Sequence, residues 1–167
     1  MREDRNMDKE LRETAEKYRQ LIYSVAAAKL RCLADADDVF QEVFIVYYRR
    51  RPEFDSEEQK RSWLIKTTLN LSKKYNHDKW NENVDKSREP LTSAAVQFKT
   101  EMESCIFDEV MALGDKYRLP VYFYYFIGMS SKEIAEVLGI STGAVDVRLS
   151  RARKMLKEKL ERGRSYE

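Results

Sequence analysis

The sequence predicts an all-α fold of two small helical domains joined by a flexible linker, and three observations predict it. Only 5 Gly and 3 Pro occur among 167 residues, so tight turns are few and long helices are favoured. Apolar residues recur at steps of three or four along most of the chain, the spacing of one helix face. That spacing fails over NENVDKSREPLTSAAVQFK, a polar stretch containing Pro90, which sets a first domain at residues 1–80, a linker at 81–100 and a second domain at 101–167.

Taken in order, Leu11, Ala15, Tyr18, Ile22 and Val25 predict a first helix that ends near Arg31. A second helix opens with Asp35 as its cap, carries Val39, Phe40, Val43, Phe44 and Tyr47 at helical spacing and stops at Pro52. Its first half is acidic, with Asp35, Asp37, Asp38 and Glu42 and no Lys or Arg from residue 32 to 48. Ser56 followed by Gln59 reads as a capping box for a third helix, which buries Trp63, Leu64, Thr67, Thr68, Leu71 and Tyr75. The opposite side presents Lys66, Asn70, Lys73 and His77, and residues 60–80 hold Lys60, Arg61, Lys66, Lys73, Lys74 and Lys79 against the single acid Asp78.

Beyond the linker, Met102, Ile106, Val110 and Leu113 mark a helix, and Pro120 suits the first turn of the next, VYFYYFI, which Gly128 closes in a left-handed conformation. Tyr122, Tyr124, Tyr125 and Phe126 are too many aromatics for so narrow a helix to bury, so some lie exposed or in an interface. Residues 131–150 have the grammar of a helix-turn-helix. Ser130 and Glu133 form a capping box, Ile134 and Leu138 are core, Ala135 lets the helices approach, Gly139 turns the chain, and Ser141 caps a second helix with Val145, Leu149, Ala152 and Leu156 inside. From Arg148 to Lys157 that helix carries Arg148, Arg151, Arg153, Lys154 and Lys157 and no acid, a side suited to phosphates while its first turns enter a major groove.

Other function classes find little support. Lys and Arg number 31 against 29 Asp and Glu, so any nucleic-acid function rests on local clustering and not on net charge. Cys32 and Cys105 lack CxxC spacing and read as reduced, buried thiols, and with His77 the only histidine no metal site, catalytic constellation or cofactor is expected. A phosphate-binding glycine loop is missing from the sequence. No apolar run suits a bilayer span and MREDRNMDKE is too charged for a signal peptide, so no membrane insertion is expected and the cytoplasm is the expected location. A helix-turn-helix by itself also serves an ordinary repressor or activator, and a helical adaptor that binds only proteins is a further alternative. The first predicts tight duplex binding by the protein alone.

The segments before the helix-turn-helix carry a more specific resemblance. DADDVFQEVFIVYY and RSWLIKTTLNLSKKY resemble the second conserved region of bacterial RNA polymerase sigma factors, and LPVYFYYFIGMSSKEIAEVLGISTGAVDVRLSRARKML resembles their C-terminal domain. The direct join of the two, without a middle domain, is similar to the extracytoplasmic-function (ECF) group. The resemblance implies a subunit that carries polymerase core enzyme to promoters, aids their opening and does no chemistry of its own. It implies that Asp38, Gln41 and Glu42 dock on the clamp helices of the largest subunit. The −10 element would be held by Lys60, Arg61, Lys66, Asn70, Lys73 and Lys74, with a base pocket built partly by the loop from Phe54 to Lys60. Trp63 and Tyr75 sit at core spacing, while for Trp80 base stacking and capping of the core are equally open.

At the −35 element the matching positions are Ser141, Gly143, Ala144, Asp146, Val147, Ser150 and Arg151, with Arg148 and Arg153 from the basic run. Family members commonly carry Lys or Arg at the position of Asp146 and Ser at that of Val147. An altered base preference is therefore expected, with Asp146 able to accept from a cytosine amino group and Val147 to meet a thymine methyl. The resemblance also places the flap of the second-largest subunit near the aromatics of residues 122–126 and implies an anti-sigma factor as a further partner.

Overall fold

Helix begins at the second residue, before any apolar periodicity. The computed structural model describes residues 1–30, 32–81 and 101–164, without the side chains of 33, 76–81, 101–103 and 164, so the side chains of His77, Trp80 and Met102 and most of the expected linker lie outside it. The elements are α1 (Arg2–Leu30), α2 (Leu33–Arg50), α3 (Glu57–Asn81), α4 (Glu101–Met111), α5 (Asp115–Tyr122), a π-helical segment (Phe123–Ile127), α6 (Ser131–Leu138) and α7 (Thr142–Arg164). Among the described residues there is no strand. The chain divides into two units, Met1–Glu89 and Pro90–Glu167.

In the first unit each of α1, α2 and α3 packs against the other two. Tyr18, Ile22, Ala26 and Leu30 of α1 meet Ala36, Val39, Val43, Phe44 and Tyr47 of α2, and Leu64 of α3 closes the cluster. The exposed start of α1 has no apolar stripe to announce it, and is tied down instead by Asp4 to Arg51 and by Glu10 to Tyr47 and Lys60. Two expectations need correcting here. Asp35 is not the cap of α2. Cys32 takes that place with extended backbone, and Asp35 is buried in the first turn, where a carboxylate offsets the positive helix end. On α3 the buried line is Leu64, Ile65, Thr68, Leu69 and Ser72, while Trp63, Thr67, Leu71 and Tyr75 are half-buried at its margins. Because α3 touches both other helices, its inward face is broad, and polar residues enter it once their hydroxyls are satisfied. Thr68 donates to the Leu64 carbonyl and Ser72 to that of Thr68, each at 2.7 Å. As expected, α2 ends before Pro52: Arg51 turns left-handed (φ 46°) and its amide bonds Tyr47 O at 2.9 Å.

In the second unit Phe107, Val110, Met111 and Leu113 are buried, with Ile106 only partly so. Cys105, expected inside with Cys32, is exposed because it falls on the side of α4 opposite Phe107 and Val110. Pro120 is not in a first turn either. Its helix starts at Asp115 after Gly114, which leaves Pro120 in the interior, where its missing N–H deletes one helix bond. Leu119, Pro120 and Val121 are all buried, and the helix continues past the defect into the wider π-helical segment that Gly128 (φ 80°) closes as expected. Arg118, fully buried, donates to the Leu113 carbonyl at 2.7 Å and pairs with Asp115, which ties the α4–α5 corner together.

Leu64→Ala is expected to lower the stability of the first unit by about 3 kcal/mol, read as a shift in urea midpoint, because the side chain is fully enclosed. A pH test is available at Tyr18, whose phenol is pushed up to about 12 by burial first and then by its bond to Glu57. An unfolded tyrosine ionises near 10, so this contribution to stability is whole below pH 10 and is lost as pH climbs toward 12. Tyr18→Phe should flatten the loss of stability in that window, measured by denaturation at stepped pH.

Candidate nucleic-acid interface

On α3 the buried line forces an opposite stripe. Lys66, Asn70, Lys73 and Lys74 follow one another at helical spacing and all are exposed, so three ammonium groups and an amide share one open face. Lys60 and Arg61 do not join them. The Lys60 side chain is only 13% exposed, sits 3.6 Å from Glu10 Oε1 and lies over the Tyr47 ring. Arg61 is half-buried. Periodicity could not reveal this for Lys60, whose partners Glu10 and Tyr47 come from α1 and α2.

The loop that leads into α3 is held on several sides. Phe54 stands between Tyr47 and Trp63, with ring centroids at 6.3 and 5.9 Å, and Trp63 meets Tyr47 edge-on at 5.7 Å. Trp63 is thus part of the core margin. Ser56 Oγ accepts from the Gln59 amide at 3.1 Å as a capping box requires, but Gln59 Oε1 returns to the Asp55 amide at 2.7 Å, one residue earlier than expected. Glu57 then binds the helix start to α1, accepting from Lys17 Nζ at 2.9 Å and from the Tyr18 hydroxyl. Those two bonds, the tyrosine's first, hold its carboxyl below the ordinary value.

Asp38, Gln41 and Glu42 lie exposed on the outward face of α2. Asp38 Oδ2 accepts from the Tyr75 hydroxyl at 2.6 Å, so one member of this acidic set also braces α3. The same face carries Ile45 and Tyr48, 41% and 44% exposed, which border an open apolar groove with Leu11, Ala15, Phe40 and Phe44. These two were missed. The signal was present in FQEVFIVYY, which holds more apolar residues than one side of a helix can bury.

In the second unit the helix-turn-helix forms as its spacing requires. Ser130 and Glu133 complete the capping box, Gly139 turns with φ 67°, and Ala135 and Val145 are buried where α6 and α7 pack. Ser141 Oγ accepts from the Ala144 amide at 3.1 Å and caps α7. Gly143, Val147, Ser150 and Arg151 are exposed on the side away from the buried Val145, Leu149 and Ala152, while Ala144 and Arg148 stand at its edge. Lys154, absent from the set the resemblance implied, belongs to this face by exposure and phase.

Two of the expected contacts are engaged within the protein. Arg153 Nη1 donates to the Tyr125 hydroxyl at 3.0 Å, and both border a groove with Ile106, Val110, Phe126 and Leu156. Asp146 Oδ1 accepts from Ser131 Oγ at 2.9 Å, which links the two helices of the motif. Of the aromatics, Tyr122 and Phe123 are buried, whereas Tyr124, Tyr125 and Phe126 are exposed. Among the described residues no helix is long and apolar enough to cross a membrane, and no cluster of His, Cys, Asp and Glu is arranged to hold a metal ion.

With this geometry in place, two family models match the sequence: Sigma-70 region 2 over residues 14–82 and Sigma-70 region 4 over residues 104–156. RNA polymerase sigma factor SigZ of Bacillus subtilis (strain 168) is 30% identical over 127 residues, covering 75% of this chain and 72% of that one. ECF RNA polymerase sigma factor SigW of the same strain is 27% identical over 158 residues, covering 86% and 84%. Among solved structures, sigma factor RpoE of Bartonella quintana, crystallised with the anti-sigma factor NepR, is similar with a TM-score of 0.71 at 17% identity over 92% of this chain and 98% of that one. CnrH, solved in complex with the cytosolic domain of CnrY, gives a TM-score of 0.67 at 24% identity over 92% and 89%. These structural likenesses establish the fold.

Proposed function

This chain belongs to the RNA polymerase sigma factor family, subunits that direct core polymerase to promoters for transcription initiation, and from that premise we propose how its surfaces divide the work. The observation that carries the reading is a pair of exposed cationic helix faces, on α3 and on α7, each within a unit that matches one sigma region.

The α3 face takes the single strand of the opened −10 element. Lys66, Lys73 and Lys74 meet its phosphates and Asn70 offers both a donor and an acceptor to a base edge. The aromatically packed loop through Phe54 leads into α3 and supplies one wall of a base pocket, preformed because Tyr47 and Trp63 hold it before DNA arrives. On α7, Gly143 lets the helix start come close to the groove wall, Val147 and Ser150 face base edges, and Arg148, Arg151 and Lys154 neutralise phosphates of the −35 element. Lys60 and Arg153, committed to Glu10 and Tyr125, act as braces in the free protein.

The outward face of α2 docks on the clamp helices of the largest subunit, with Asp38, Gln41 and Glu42 meeting basic groups and Ile45 and Tyr48 supplying apolar area that an acidic patch alone would lack. Tyr124, Tyr125 and Phe126 offer a second apolar surface to the flap. An anti-sigma factor, like the NepR crystallised with the structurally similar RpoE, would cover the same faces, and the protein acts in the cytoplasm, where polymerase works. Delivery and opening of promoters, without chemistry of its own, is the activity proposed.

In vitro transcription with core polymerase tests this directly: added protein should give transcripts from specific start sites on a randomised promoter pool, and transcripts no different from core enzyme alone would overturn it. For the α7 face, Arg151→Ala is expected to lower the slope of log K against log salt by about 1, so that wild type and variant differ most at low salt and converge as salt rises. For the α3 face, Lys66→Ala with Lys73→Ala should reduce open complexes, scored by permanganate reactivity, by about ten-fold or more while leaving binding to core polymerase unchanged.

A further inference from the structure

Asp146 is the only acid between Ser141 and Lys157, on the helix assigned above to the −35 element. A carboxylate there repels phosphates, and it is five residues into α7, past the first turn where it would offset the helix dipole. Its Oδ1 accepts from Ser131 Oγ at 2.9 Å, a charge-assisted bond between the first residue of α6 and the second turn of α7. The Ser131 hydroxyl is not required as a cap, because Ser130 fills that role and Glu133 completes the box. Ile134 and Ala135 of α6 and Val145 and Leu149 of α7 are all buried where the two helices pack. One hydroxyl donor uses one of about four acceptor sites on a carboxylate, so Asp146 remains able to accept from a base.

Resting on the reading of α7 as the −35 helix, we propose that Asp146 selects cytosine in that element and that Ser131, outside the recognition helix, is the positioning residue that makes the selection sharp. The major groove narrows the choice. Cytosine offers its amino group as a donor, guanine and thymine turn acceptors toward a carboxylate, and adenine sets its N7 acceptor beside its amino group. A carboxylate held by Ser131 arrives with its orientation already restricted, so less freedom is lost when the base is bound.

The experiment is selection from a promoter pool randomised across the −35 region, using the full chain with core polymerase. Wild type should enrich cytosine at one position by about ten-fold over other bases, as one good base contact allows. Asp146→Ala should lose that enrichment and leave the other positions alone, and Asp146→Asn should move it toward adenine, whose N6 and N7 suit an amide. Ser131→Ala should cut it to about three-fold, Ser131→Thr should keep it, and Ser131→Ala should change nothing further in an Asp146→Ala background. A loss of packing alone would lower yield at every sequence without changing the preferred base. Identical preferences in wild type and Asp146→Ala overturn the inference while the promoter-reading function stands. Ser131→Ala matching wild type, with Asp146→Ala altered, overturns the role of Ser131. If wild type with core enzyme enriches no sequence at all, the reading of α7 fails and this inference fails with it.

Discussion

A helix can offer a stripe of cations to a nucleic acid only if its other side is buried firmly enough to fix its rotation. In the first unit the exposed cationic stripe lies on α3, which is flanked by α1 and α2 and has Leu64, Ile65 and Leu69 almost fully enclosed. The satisfied hydroxyls of Thr68 and Ser72 extend the enclosed line without a buried unpaired polar group. Lys66, Asn70, Lys73 and Lys74 are aligned as a consequence of that burial, because each stands away from the enclosed line.

The second unit solves the same problem with less material. Its two helix-turn-helix elements cross where small Ala135 and enclosed Val145 permit close approach, and Gly139 supplies a left-handed turn that other residues adopt at a cost. Behind them lies an unusual scaffold: Pro120 in a helix interior, a π-helical segment after it and a buried Arg118 that satisfies the Leu113 carbonyl. The wider π turn changes the phase of the aromatics. Phe123 points inward, while Tyr124, Tyr125 and Phe126 come to the surface in succession.

Intramolecular bonds decide which charges are available. Glu10 withdraws Lys60, Tyr125 engages Arg153, Tyr75 holds Asp38, and Ser131 holds Asp146. In the exposed cases such bonds are weak individually, and their effect is chiefly on orientation. Acids and bases that cancel in the sum are exposed on different helices, Asp38 and Glu42 on α2 and Lys66, Lys73 and Lys74 on α3.

Periodicity, caps and breakers alone were enough to determine the all-helical class, the helix-turn-helix with its Ser130–Glu133 box, the Gly128 and Gly139 turns, and the exposed stripe of Lys66, Asn70 and Lys73. Each depends on neighbours within about four residues or on one helix period, information that a linear chain holds locally. The family resemblance was legible for the same reason, in contiguous segments. The tertiary structure alone decided the rest: the start of α1 at Arg2, the inward shift of the α3 core to Ile65 and Leu69, the interior placement of Pro120, the exposure of Cys105, Ile45 and Tyr48, and the partners of Lys60, Asp146 and Arg153. Those outcomes depend on which of two or three helices approaches a given side. That is a contest of packing between residues far apart in sequence, and no local pattern records its winner.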